Sequence, residues 1–142
     1  LLRREIPQAR MLMVTGPRIA PAEVPDVEGL HKRGYVHNLY EHLACADAAV
    51  IQGGLSTAME LVALRRPFVY FPLRRHWEQV HHVSHRLAYY GAGLRAHYAA
   101  APAASVREVM VRMLHEPVAY RPVPADGAMR AAERIARLLV RA

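Results

Sequence analysis

Short apolar runs set between amphipathic stretches constrain this chain more than any other feature. Met11-Leu12-Met13-Val14, Ala48-Ala49-Val50-Ile51 and Phe68-Val69-Tyr70-Phe71 are apolar at every position. Thr15-Gly16-Pro17, Gly53-Gly54 and Pro72 stop them in turn. A strand with one wet face alternates, whereas an unbroken apolar run marks a strand covered on both faces. Arg33-Gly34-Tyr35-Val36 reads as another short strand, and Gly93-Leu94-Arg95-Ala96 as a fifth. Helical spacing is expected over 38–46, 55–64 and 77–90, and again around 106–114 and 129–139. Trp77, Val80, Val83, Leu87 and Tyr90 form the apolar face of the third of these helices. Asn38 suits an N-cap, Ser105 stands near a helix start, Gly91 suits a C-terminus, and Pro117 ends the next helix.

Strands alternating with helices predict an α/β domain, Rossmann-like and three-layered, around a mostly parallel sheet. Residues 1–142 are the size of one domain, and a hydrophobic fraction of 53% suffices for a core. Leu1 to Ile6 has the pattern of a helix tail, so the opening strand of such a sheet is expected upstream. The start on Leu rather than Met suggests a fragment, and no leader peptide is visible. No run approaches the roughly 18 apolar residues that span a bilayer. Cys45, the only cysteine, is expected to be a small buried hydrophobe in a reducing, cytoplasmic setting.

The formal charge is +7, which raises nucleic acid as a partner. The distribution argues against it. Lys32 is the only lysine, and the arginines are scattered among Ala, Val and Leu without a basic run or aromatic platform. A field that attracts anionic substrates such as nucleotide diphosphates is the expected consequence.

The stretch from Ala48 to Gln79 carries the chemistry. In a parallel α/β sheet, ligands bind at the carboxyl ends of strands. Gly53-Gly54 stands at such an end directly before a helix, where glycines let a phosphate approach the backbone. The first helical N–H groups, of Leu55, Ser56 and Thr57, are unpaired donors, and Ser56 and Thr57 add hydroxyls. Glu60 follows one turn later, within reach of a sugar diol. The same residues also suit a plain glycine turn, with Ser and Thr capping a helix and Glu60 a solvated acid. His76-Trp77-Glu78-Gln79 then stands beyond the next strand, a polar set fit for hydroxyl groups.

The order of these features resembles the C-terminal domain of the GT-B glycosyltransferases, from Val14 to His115. It runs Thr-Gly-Pro-Arg, Gly-Tyr-Val, Gly-Gly-x-Ser-Thr-x-x-Glu, Arg-Pro-Phe-Val-x-Phe-Pro, Glu-Gln and Gly-Ala-Gly. The branch it looks closest to contains the bacterial peptidoglycan GlcNAc transferase and the antibiotic glycosyltransferases. The resemblance implies that Gly53, Gly54, Ser56 and Thr57 hold the donor diphosphate, with Gly16 and Arg18 near it. It implies Glu60 on the ribose, Tyr35 and Val36 against the base, and His76, Glu78 and Gln79 at the transferred sugar. The reaction it implies is inverting and metal-independent, from a UDP- or dTDP-sugar to an acceptor hydroxyl, without a cofactor. The catalytic base is expected from an absent N-terminal domain rather than from His76, so this chain is expected to bind nucleotide without turnover.

His76, His81, His82 and His85 suggest metal, but no acidic third ligand stands near, and no functional metal is expected. The apolar face of the last helix, Met129 to Leu139, is expected to pack on the core, with part of it exposed toward a partner domain. Two alternatives keep the donor site: a sugar-nucleotide 2-epimerase half, or a non-enzymatic subunit completing a separate N-terminal half.

Overall fold

The computed structural model describes residues 2–140, apart from the side chain of Val140. Helix α1 (Leu2–Glu5) leads into β1 (Met11–Val14), a 3-10 turn at Pro21–Glu23 and β2 (Leu30–Arg33). Then follow α2 (Leu39–Cys45), β3 (Ala49–Ile51), α3 (Leu55–Ala63) and β4 (Phe68–Tyr70). A π-helical stretch (Glu78–Val83) runs into α4 (Ser84–Tyr90), before β5 (Leu94–Arg95), α5 (Ala103–His115) and α6 (Gly127–Val140). Every strand pairing is parallel, so the α/β, Rossmann-like expectation holds. The expected single sheet is instead two: β1-β2, and β3-β4-β5 with β4 central.

The core gathers where both faces of a strand are covered. All of β4 is buried, and Phe68, Leu61, Val62, Val83 and Leu87 have essentially no exposure. Leu61 and Val62 of α3 and Val83 and Leu87 of the helix after β4 pack together with Phe68 and Tyr70, while Val69, pointing to the other face, lies with Val106 and Val109 of α5. Phe68 packs against the rings of Tyr70 and Tyr120, each with centroids 6.2 Å away, the latter edge-on. Burial pushes the Tyr120 hydroxyl above the ordinary phenol range, and that oxygen accepts the Gly93 N–H at 3.4 Å.

The β1-β2 pair is far less covered. Leu12, Met13 and Val14 are 45%, 40% and 37% exposed, so β1 is not the buried strand its apolar run predicts. Among the described residues its second edge carries no partner strand, and the exposed Val50 stands on β3 at the edge of the other sheet. Lys32 donates to the Val24 carbonyl and to Asp26, at 2.7 and 2.6 Å, tying the preceding loop to β2. That hydrogen bond, with the lysine's charge, holds the Asp26 carboxyl below the usual carboxylate range.

Several sequence expectations need correction. The second strand is Leu30–Arg33, in register with Met11–Val14, and Gly34-Tyr35-Val36 is the turn beyond it. Asn38 precedes α2 in the left-handed region, but its amide donates to Glu41 at 3.0 Å instead of capping the backbone. Cys45 is exposed at the end of α2 rather than buried. On α6, Met129, Ile135 and Leu139 are 64%, 59% and 73% exposed, so that face does not pack on the core. Gly91 does end α4 in the left-handed conformation, as its position predicts.

Trp77 is 72% exposed, although its spacing places it on the apolar face. The π turn explains the difference. With about 4.4 residues per turn, residues four apart lie nearly in line. Gln79 therefore joins Val83 on the buried face, while Val80 is only half-buried. Trp77 and His81 line up on the opposite side, their rings 5.6 Å apart.

Candidate functional site

The ends of β3 and β4 are built together. Phe71 donates its N–H to the Ile51 carbonyl at 2.9 Å, extending the β3-β4 ladder to the strands' carboxyl ends. Gly53 follows with φ of 100°, a region open to glycine and strained for other residues. It is buried, and a Cβ there would stand 3.3 Å from the Tyr70 ring and 3.6 Å from Pro72. The glycine thus brings the turn after β3 against the loop after β4. Gly53→Ala is expected to cost about 1–3 kcal/mol in stability, read by urea denaturation. An unchanged midpoint would show that the turn tolerates a side chain.

Gly54 is extended, exposed and open on all sides, and it stands at the N-cap of α3. The first hydrogen bond of the helix runs from Ala58 N–H to the Gly54 carbonyl at 3.1 Å. The N–H groups of Leu55, Ser56 and Thr57 precede it and have no intrahelical acceptor. Glycine supplies no capping oxygen, so these donors face outward with the positive end of the helix dipole. Ser56 is exposed, and Thr57 and Glu60 are half-buried. Among the described residues, Glu60 makes no ion pair or side-chain hydrogen bond. An anion and a polyol can therefore meet free donors and a free carboxylate at one place.

Beyond β4 the loop is held by Gln79. Its buried side-chain oxygen accepts the Leu73 N–H at 3.0 Å, and the adjoining turn is closed by His76 N–H on the Leu73 carbonyl. Gln79 is thus first a pin for the loop, leaving its amide nitrogen without a protein partner among the described residues. His76 and Glu78 are exposed beside it. The expected sugar-site trio is therefore contiguous, but its members differ in freedom. Sequence spacing gave no sign of the Gln79 bond, because a buried amide looks like any polar position.

The other expected residues follow β1 and β2. The Thr15 hydroxyl donates to the Ile19 carbonyl at 2.7 Å, folding a turn that carries Gly16, at φ of 74°, and the exposed Arg18. Tyr35 is 77% exposed, while Val36 is half-buried. Val36 lines a cleft of about 380 Å³ along the β1-β2 pair, together with Arg10, Leu12, His31, Arg33 and His42 of α2. This cleft is not at the glycine turn. The sequence reading missed its basic lining because it placed the strand at Arg33–Val36, hiding that His31 and Arg33 alternate outward. Among the described residues, no group of three His, Cys, Asp or Glu side chains is placed to hold a metal ion.

Residues 3–138 match the family model described as the glycosyltransferase family 28 C-terminal domain. The chain belongs to that family. A curated relative, an uncharacterized glycosyltransferase of Methanosarcina acetivorans, is 30% identical over 108 residues. That match covers 73% of this chain and 28% of the relative, so the chain spans little more than a quarter of its length. A solved structure, the glycotransferase of kitacinnamycin, superposes with a TM-score of 0.62 at 18% identity. It covers 82% of this chain and 29% of that one. The GT-B fold of a family 28 C-terminal domain thus accounts for the parallel strands and the helices between them. No helix among the described residues is long and apolar enough to cross a membrane.

Proposed function

We propose that this family 28 domain binds the nucleotide-sugar donor of an inverting glycosyltransferase. The observation that carries the reading is the Gly53-Gly54 turn opening α3 against the end of β4. Unpaired N–H groups at a helix start are a ready anion site, and here the backbone leaves room for a diphosphate. Ser56 and Thr57 add hydroxyl donors to it, and Gly16 and Arg18 stand after β1 as a further anion-facing turn. Glu60, without a side-chain partner among the described residues, accepts hydrogen bonds from the ribose hydroxyls. Tyr35 and Val36 contact the base. Glu78, with the Gln79 amide nitrogen and His76, binds hydroxyls of the transferred sugar.

In the reaction, an acceptor hydroxyl attacks the anomeric carbon as the bond to the diphosphate breaks. Negative charge grows on the departing phosphate, and fixed N–H dipoles aimed at it lower the barrier without reorganising. The acceptor proton must pass to a general base. We assign that base to an N-terminal domain of a longer protein, and we expect the present chain to bind without turning over. An upstream strand of that protein would pair with the open edges of β1 and β3, joining the two sheets into one. UDP or dTDP is the expected leaving group, no metal or other cofactor takes part, and the setting is cytoplasmic.

Removing Glu60 tests the ribose contact. Glu60→Ala is expected to weaken diphosphate binding about 10-fold, the worth of a charged hydrogen bond. Calorimetry of both chains with UDP and dTDP reads this directly. Equal affinities would remove Glu60 from the site.

A further inference from the structure

We propose that Trp77 is the stacking platform for the pyranose ring of the transferred sugar, a role that rests on the donor-site reading above and extends it. Trp77 is the only tryptophan of the chain, and it is 72% exposed at the first turn after β4. An exposed indole forgoes the apolar burial that normally recommends the residue. Here its position is built rather than incidental. The Gln79 oxygen holds Leu73 N–H, which ties the loop after β4 to the helix, and the π turn sets Trp77 opposite the buried Gln79-Val83 side. Single π turns inside helices recur at functional sites. The His81 ring lies beside the indole, tilted by 38° with centroids 5.6 Å apart, and most of the indole stays open.

Trp77 directly precedes Glu78, so an exposed indole and an exposed carboxylate stand on neighbouring sides of the same first helical turn after β4. That pairing matches the two faces of a pyranose. Its ring C–H groups form an apolar face for the indole, and its hydroxyls donate to a carboxylate. A nucleoside diphosphate without sugar has nothing to place there. Trp77 therefore separates donor from product, adding affinity for the sugar-nucleotide alone.

The single tryptophan makes the test direct. The chain is titrated with UDP, dTDP, UDP-glucose and dTDP-glucose, following both indole emission and calorimetric affinity. Emission is expected to change with a sugar-nucleotide and to stay unmoved by its diphosphate. Trp77→Ala is expected to weaken sugar-nucleotide binding about 3- to 10-fold, with diphosphate affinity unchanged and Trp77→Phe recovering most of the loss. Equal loss for diphosphate and sugar-nucleotide, or no loss for either, would overturn the platform while leaving the donor site standing. No binding of any of the four ligands by calorimetry would overturn both.

Discussion

Phe68→Ala should lower stability by about 3–5 kcal/mol, the range for truncating a fully buried phenylalanine. Its side chain has no exposure and stands within the buried core cluster. The loss removes the Tyr70 and Tyr120 ring contacts as well as the area buried by Phe68 itself. The space left is walled by β4 and its helices and cannot readily collapse. In a domain of this size that loss corresponds to a fall of roughly 10–15 °C in the thermal midpoint. A fall of only a few degrees would mean that the chain's stability resides outside this core.

Gly93→Ala should be nearly as damaging, for the opposite reason. Gly93 has φ of 66°, and a Cβ added there would overlap the outer atoms of the Phe68 ring. The left-handed conformation costs about 1 kcal/mol for a residue with a side chain. Overpacking a closed core adds about 1–3 kcal/mol more. Because the clash is with particular ring atoms, the two positions should be coupled. Leucine lacks the Cε and Cζ atoms that the new Cβ would strike. In a Phe68→Leu background, Gly93→Ala should therefore cost only the backbone share, about 1 kcal/mol. Urea denaturation of the four chains reads the coupling, and strict additivity would place the cost of Gly93→Ala elsewhere.

Much of the architecture is legible in the sequence because β4 and α3 follow local rules that their surroundings reinforce. Phe68-Val69-Tyr70 is apolar throughout and is buried on both faces, as such a run demands. Gly91 and Gly53 mark positions where the backbone needs positive φ, and both adopt it. The β2 strand was misplaced because Gly-Tyr-Val has more strand character than Leu-His-Lys-Arg. Pairing with β1, a non-local fact, decides its register instead. The division into two sheets is equally non-local, since a strand's composition does not name its neighbour. Trp77 misled through its period, which assumes α-helical winding where the chain winds wider. The candidate site divides along the same line. Gly53 and Gly54 announce themselves by residue type, whereas the Gln79 pin and the basic cleft beside Val36 depend on packing between distant segments.

The measurement that bears most directly on the donor-domain reading is an NMR titration of this chain with UDP, dTDP, GDP and AMP. We expect one pyrimidine diphosphate to shift the backbone amide resonances of Leu55, Ser56 and Thr57, with weaker or no response to AMP. Those amides unmoved by every nucleotide would contradict the reading and leave Gly53-Gly54 as a turn and nothing more.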